Sequence, residues 1–391
     1  MDRRLTIVLS MLAVATAVAL LASTEKIRSG VRAGFDNTIS GADLVVGTRT
    51  GSLNLLLYSV FRLGDPLQSV SWETFERVAQ HPDVAWAIPL SLGDSHRGYR
   101  VLGTDDTYLA HYRYGSDVPL KIANGQWMST PSDAVLGAEV ARALNYNVGT
   151  EIILSHGIVS AGFADHDDAP FRVVGILAPT GTPVDRTVHV TLSGLDAIHG
   201  GDTDEGATPQ AITSFLVGME NRPVALQFQR VLNTYQGEPL TAAIPGAALS
   251  QLWSVIRPVE TILRLFTALV FAIGMVGLST TLLASLAGRR RELAILRALG
   301  ARPSDLMFIL TAETVLTSVG GFIIGWCTAY FGLLVFGPTL QENYGLVLSV
   351  TGPNSFDGLV FLAVLASSFL LGLVPGIAAY RSSLNDGLSP G

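Results

Sequence analysis

Apolar positions in this chain gather into four long runs, at roughly 5–23, 261–286, 306–336 and 356–380, with a long mixed stretch between the first and the second. Each run approaches or exceeds the about 20 residues a helix needs to cross about 30 Å of hydrocarbon. A helix satisfies its own backbone hydrogen bonds, so at these lengths it is the form in which such a run crosses lipid. Ile27, Val31 and Phe35 follow the first run at four-residue spacing, which predicts a helix continuing out of the membrane as a stalk. Leu249, Leu252, Trp253, Ile256 and Val259 predict a second striped stalk leading into the second run. The first run also carries marks of a cleavable signal: an Arg pair, an apolar centre and small residues near Ala22-Ser23. Its length and the stalk spacing after it favour an uncleaved span.

The stretch 41–245 changes period repeatedly, as a mixed α and β domain does. Ala42–Gly47 reads as a strand ending in a turn. Trp72–Ala79 reads as a helix capped by Ser71, with Trp72, Phe75, Val78 and Ala79 on one face. Ala134–Gly137 leads into a short helix at Ala138–Leu144. Glu151–Leu154, Phe171–Leu177 and Val188–Leu192 read as strands, and Gly200–Gly206 as a polar loop.

Between the second and third runs lies Gly288-Arg289-Arg290-Arg291-Glu292-Leu293-Ala294-Ile295-Leu296-Arg297-Ala298-Leu299-Gly300-Ala301-Arg302. Leucines at 293, 296 and 299 make one apolar stripe, arginines crowd the rest, and Gly300 stands where a helix would stop. This predicts a short amphipathic helix at the membrane surface. Charge then sets orientation. Arg3 and Arg4, the five arginines of this loop and Arg381 all fall on one side if four spans alternate, and that side is cytoplasmic. The segment 24–257 lies outside and holds 24 acidic against 16 basic residues. An acidic outer domain argues against nucleic acid as a partner.

These segments resemble the MacB/FtsX family, the permease subunits of type VII ABC transporters, which include lipoprotein-releasing permeases. The loop 288–302 is similar to the family's coupling helix. Gly41-Ala42-Asp43-Leu44-Val45-Val46-Gly47 resembles the opening strand of its periplasmic core domain. Val135-Leu136-Gly137-Ala138-Glu139-Val140-Ala141, Asn147-Val148-Gly149-Thr150 and Phe171-Arg172-Val173-Val174-Gly175-Ile176-Leu177 resemble later parts of that domain. The resemblance implies four transmembrane helices plus a large extracytoplasmic α/β (α+β) domain on a helical stalk. It divides the chain into 1–40 (first span and stalk), 41–245 (periplasmic core domain), 246–287 (second stalk and span), 288–303 (coupling helix), 304–336 (third span), 337–355 (outer loop) and 356–391 (fourth span and tail). It implies a bacterial inner-membrane protein that passes force from a cytoplasmic ABC ATPase dimer to its outer domain. The implied partners are that ATPase, a second permease subunit (identical or paralogous), a periplasmic or lipoprotein partner, and membrane lipids. Cargo would be a lipoprotein, a peptide or a small molecule. An FtsX-like scaffold that activates a periplasmic partner is the alternative.

Candidate chemistry is sparse. No Gly-x-x-x-x-Gly-Lys-Ser/Thr occurs, so ATP and Mg belong to a partner chain and no cofactor is expected in this one. No Gly-x-Ser-x-Gly occurs, and a non-catalytic subunit is expected. The residues expected to meet the ATPase are Arg290, Glu292, Leu293, Leu296, Arg297, Leu299 and Gly300. Glu313, inside the third run, is the intramembrane polar candidate, most simply a structural hydrogen-bonding group. Glu260 and Arg264 predict an i,i+4 pair. Gly274 and Gly277, with Gly320, Gly321 and Gly325, permit close helix approach, either within one bundle or between two subunits. The histidines all lie in the outer domain. His156, His166, His189 and His199, with acidic neighbours, are the candidates for a metal-linked function, but their spacing matches no metal-ligand pattern. Cys327, the one cysteine, lies in the third run and permits no internal disulfide.

Overall fold

A computed structural model describes residues 3–66, 68–156, 170–198, 209–288, 295–296, 298–344 and 352–385. The chain forms two compact units. One comprises 1–30, 257–339 and 348–391, and the other 31–256 with 340–347.

The first unit is built from four long helices, Arg3–Asp36, Pro245–Gly288, Pro303–Tyr344 and Ser355–Asn385, of which 31–36, 245–256 and 340–344 belong to the other unit. Each is long and apolar enough to cross a membrane. Their inward faces meet in one cluster, with Val14 and Val18 of the first helix, Met275 of the second, Phe322 and Trp326 of the third, and Val360 and Val364 of the fourth. Their outward faces carry bare apolar side chains such as Phe266, Phe308, Leu334 and Leu362. In water that would cost stability; against lipid tails it costs nothing. Between apolar helices in lipid, close packing has to supply the attraction. The third helix meets this need at Gly321 and Gly325. A Cβ at Gly325 would lie 2.3 Å from the Ala15 carbonyl oxygen, and one at Gly321 would lie 2.8 Å from Val14 Cβ. The glycine seam therefore joins the first and third helices of one chain. Gly277 faces open space, with nothing within 4 Å of an added Cβ.

The second unit is a mixed sheet with helices on both faces. Nine strands run in the order Leu240–Ala243, Leu44–Thr48, Ser214–Met219, Val84–His96, Tyr99–Thr104, Thr187–Thr191, Asp133–Leu136, Phe171–Leu177 and Ile122–Gly125. Most neighbours are antiparallel. Thr187–Thr191 runs parallel to Tyr99–Thr104, and Phe171–Leu177 parallel to Asp133–Leu136. The strand Val84–His96 spans both halves of the sheet. Its first part pairs with Ser214–Met219 and its last part with Tyr99–Thr104. One face carries a single continuous core that includes Val45, Leu216, Ile88, Leu102, Val135 and Leu177. The other face carries two separate cores, one around Val46, Phe75, Phe215 and Ala242, the other around Val101, Leu136, Val140, Phe171 and Val190.

The stalk residues of this unit enter the single core directly. Ile39, Ala248 and Leu249 are buried in it, and Phe35 and Leu252 pack against it. Phe35 also lies 4.5 Å from the Phe61 ring and 5.8 Å, edge-on, from Trp253. The expected second stripe ends early. Val259 is 66% exposed, because the apolar stripe turns away once the helix leaves the domain. Most other expected elements hold. Ser71 caps Trp72–Ala79 by accepting from the Thr74 N–H. Phe171–Leu177 has the predicted bounds. Glu151–Ile152 is shorter than its apolar run and stops before Leu154, while the expected strand at Val188–Leu192 is shifted one residue to Thr187–Thr191, because Thr191 caps a helix that starts at Leu192. The loop 200–206 lies outside the described residues.

The seam gives a paired prediction. Gly325→Ala forces a backbone clash with Ala15 and should cost about 1–3 kcal/mol, the usual penalty of overpacking. Gly277→Ala has room and should leave the melting temperature in detergent unchanged. Equal melting temperatures for the two variants would show that the seam does not hold the bundle.

Candidate functional site

The residues that link the membrane helices to what lies beyond them are the candidate site. Between the second and third helices, the described part of the segment 288–302 is helical at Ile295–Leu296 and Ala298. It ends as the glycine predicts. Gly300 adopts φ +100°, and the Ala301 N–H donates back to the Leu296 carbonyl at 3.0 Å. That six-to-one bond across a left-handed residue is the Schellman stop. The next helix starts at once: the Arg302 N–H donates to Asp305 Oδ2 at 2.8 Å, tying down its first turn. Leu299 is 79% exposed and Leu296 38% exposed, so both present apolar surface on the described side. Arg290, Glu292, Leu293 and Arg297 lie outside the described residues.

At the opposite end of the spans a set of charges ties the four helices together. Lys26 of the first helix lies 3.6 Å from Asp357 of the fourth, with the two side chains only 7% and 6% exposed. The Lys26 ammonium also stands 4.5 Å from the centre of the Tyr330 ring of the third helix. Arg28 pairs with Glu25 one turn back and lies 3.6 Å from Glu260 of the second helix. Glu260 also takes the expected partner, Arg264, at 4.0 Å. The sequence reading found the local pair Glu260–Arg264 and missed the long-range pair. A signal was present: Lys26 is one of two lysines in the chain, and Asp357 is the one acidic residue of the fourth helix. A burial argument would have required each to find a partner.

Beyond this, within the second unit, the two stalks are clamped. Trp253 Nε1 donates to Asp36 Oδ1 at 3.1 Å, and the Arg32 guanidinium lies 5.3 Å from the Trp253 ring centre.

The remaining candidates sort differently. Glu313 is half-buried in the third helix, and its carbonyl accepts from Thr317 Oγ1 at 2.7 Å. His189 is corrected: it is a core residue. It is fully buried in the single core face, Nδ1 lies 3.2 Å from the Val135 carbonyl, and the ring packs 5.4 Å from Tyr108. Its alternate position in the strand Thr187–Thr191 points it inward, so it cannot join the acidic loops. Burial, with the Arg62 charge nearby, lowers its pKa to about 3. The side chain of His156, with His166 and His199, lies outside the described residues. Among the described residues no group of three metal-ligating side chains converges.

Four long apolar helices with a large mixed α/β domain inserted between the first two define a polytopic membrane permease with an extracytoplasmic domain. Comparison with known proteins gives the family. Residues 5–218 match the MacB-like periplasmic core domain and residues 264–384 the FtsX-like permease C-terminal domain. The chain belongs to the MacB/FtsX-like ABC transporter permeases. An uncharacterized ABC transporter permease of Methanocaldococcus jannaschii is 26% identical over 55% of this chain and 53% of its own length. A macrolide export ATP-binding/permease protein MacB of Campylobacter jejuni is 24% identical over 55% of this chain and 33% of its own length. The matches thus span about half or a third of these relatives. Among solved structures, the periplasmic region of MacB from Actinobacillus actinomycetemcomitans aligns with 14% identity and a TM-score of 0.37, over 55% of this chain and 94% of that one.

Two predictions follow from these contacts. Lys26→Met leaves the Asp357 carboxylate buried alone and should cost about 3–5 kcal/mol, whereas Lys26→Met with Asp357→Leu should recover most of it. Melting in detergent of the single and double variants measures this, and equal loss in both would exclude a coupled pair. For His189, the folded pKa is lowered below the ordinary 6.5, so the unfolded chain takes up the proton first. Its contribution to stability is complete above pH 6.5 and shrinks as pH falls toward about 3, by about 1.4 kcal/mol per pH unit. His189→Gln should flatten that part of the stability curve; an unchanged slope would refute it.

Proposed function

We propose that this protein is the permease subunit of an ABC transporter in which a separate cytoplasmic ATPase dimer drives movement of the outer domain. The observation that carries the reading is the continuity of two helices. Arg3–Asp36 and Pro245–Gly288 each contain a membrane-crossing window, and each supplies side chains to the outer-domain unit. Phe35 from one, and Ala248 and Leu249 from the other, pack in or against the single core. In Arg3–Asp36 no proline interrupts the ladder of backbone hydrogen bonds, whereas Pro245–Gly288 carries Pro258, which removes one donor from its own. In this reading the first helix carries a shift from its membrane end to its stalk residues without an intervening loop, and Pro258 gives the second a point at which to bend.

The apolar stripe at Leu296 and Leu299 is the complementary input. Exposed leucines on a short, tightly stopped helix suit a groove on a soluble partner. ATP and Mg would be held by that partner. A second permease subunit would complete the complex, in a bacterial inner membrane with the sheet domain in the periplasm. The cargo would be a lipoprotein, a peptide or a small molecule, handled in the outer domain.

Replacing Leu296 with Asp tests the coupling. A carboxylate buried against apolar partner residues without a counter-charge costs several kcal/mol. Leu296→Asp should lower permease-dependent ATPase activity by about tenfold or more and weaken co-purification with the ATPase. Leu296→Ala should be milder, and Arg290→Ala milder still. Parental assembly and activity in Leu296→Asp, at normal membrane abundance, would overturn the coupling assignment.

A further inference from the structure

The dipeptide Asn-Gly occurs once in the chain, at Asn124-Gly125. Both residues are exposed, in the strand Ile122–Gly125 at one edge of the large sheet. The chemistry of this pair is specific. The backbone nitrogen after an asparagine can close a five-membered ring on the asparagine carboxamide. A side chain on the following residue hinders that approach, and glycine has none.

The sheet leaves the attacking nitrogen unused. Gly125 stands opposite Gly175, and Asn124 opposite Ile176. The Gln126 N–H donates to the Val174 carbonyl at 3.0 Å. Bonded and non-bonded pairs alternate along an antiparallel ladder, so Gln126–Val174 is a bonded pair and Gly125–Gly175 is not. The Gly125 N–H is therefore directed away from Phe171–Leu177. Among the described residues no strand pairs with Ile122–Gly125 on that other side. Exposure alone does not create such a site. Asn54 is exposed as well, but Leu55 follows it, and the Leu55 N–H already donates to the Gly51 carbonyl at 2.9 Å.

The fold also demands the residue that makes Asn124 reactive. Gly125 adopts φ +78°, which side chains disfavour, and a Cβ there would lie 2.1 Å from the Val174 carbonyl oxygen.

We infer that Asn124 is a site of spontaneous deamidation, and that its isoaspartyl product loosens this edge strand. The Gly125 nitrogen attacks Asn124 Cγ. The N–Cγ bond forms, the Cγ–Nδ2 bond breaks, and Nδ2 leaves as ammonia with the amide proton. Water then opens the ring. Attack at Cγ restores an ordinary backbone with a carboxylate at position 124. Attack at the main-chain carbonyl carbon leaves the chain running through Cγ, with one extra backbone carbon.

The ladder has no slack for that carbon. The bond from Gln126 to Val174 pins one end of the span, and the Ala178 N–H pins the other by donating to the Lys121 carbonyl at 2.8 Å. Between them the backbones already touch, since a Cβ at Gly175 would lie 2.1 Å from the Gln126 carbonyl oxygen. The added carbon displaces an end bond, and the strand opens beside the exposed Lys121.

Full-length protein in detergent, aged in warm, mildly alkaline buffer and followed by peptide mass spectrometry, tests the site. Asn124 should convert to the acid at least about tenfold faster than Asn54, with the isoaspartyl form among its products. In a limited tryptic digest, aged protein should be cut after Lys121 about threefold faster than fresh protein, because cleavage follows the open population. Asn124→Gln, aged in the same way, should show neither change. Fresh Asn124→Asp carries the charge on an ordinary backbone and should be cut at the parental rate. Equal conversion at Asn124 and Asn54 would overturn the site. Equal cutting of aged and fresh protein, or faster cutting of fresh Asn124→Asp, would overturn the isoaspartyl link as the cause of loosening.

Discussion

The constraint on which this architecture rests is that a helix in lipid must satisfy its backbone within itself, leaving few polar contacts for its neighbours, of which the Thr311 hydroxyl donating to the Gly372 carbonyl at 3.3 Å is one. Each amide is used within its own helix, and the tails outside are as apolar as leucine. Cohesion between the spans must then come from contact distance and from the few polar side chains that meet. Both are present. The first and third helices approach closely at Gly321 and Gly325, which have no side chain to hold them apart. Lys26, Asp357, Arg28 and Glu260 add ionic ties among helices one, two and four, with the Tyr330 ring of the third under Lys26. A buried ion pair is a poor source of net stability, because desolvation takes back most of the Coulomb gain. Its use is register. Lys26 can meet Asp357 in one relative height of the two helices, whereas leucines slide past one another at small cost.

The same helices then enter an environment with other rules. In the second unit the stalk ends are held by apolar burial and aromatic contact. Phe35 lies between Phe61 and Trp253, and Trp253 is oriented by its hydrogen bond to Asp36. They are received by the one face of the sheet whose core is continuous. A displacement delivered there acts on both halves together, since Val45, Ile88, Leu102 and Leu177 belong to the same packed layer. The opposite face is divided into two cores, and the strand Val84–His96 bridges them with a register shift between Leu92 and Ser95. Close-packed layers transmit strain, while a divided face has a place to yield.

What the sequence made legible follows the range of the forces involved. The four spans, the Ser71 cap, the strand Phe171–Leu177 and the stop at Gly300 are local: periodicity, a side-chain oxygen or a left-handed glycine specifies each within a few residues. The candidate site was half legible for the same reason. Glu260–Arg264 is one helical turn and could be read; Lys26–Asp357 spans most of the chain and could not. His189 was misjudged because acidic neighbours in sequence suggested a surface cluster, whereas strand alternation turned its ring into the core. The boundary between the outer domain's halves was unreadable because one strand, Val84–His96, runs through both, pairing first with Ser214–Met219 and then with Tyr99–Thr104, with no linker to mark it.

The segment 288–302 has the composition of a membrane-surface anchor and of a coupler alike. Arginines facing headgroups serve either role, so the five in 289–302 decide nothing. The leucines decide more. For an anchor, Leu299 would lie most economically in lipid on a helix free to adjust its depth. Here its freedom is restricted from the C-terminal side: the Schellman bond from Ala301 to Leu296 fixes the exit, and Asp305 fixes the start of the next span two residues after Gly300-Ala301. The described residues from Leu296 to Asp305 are thus tied to the start of the third span. The third span is also the helix whose glycines pack against the first, and the first runs on without a break to Asp36.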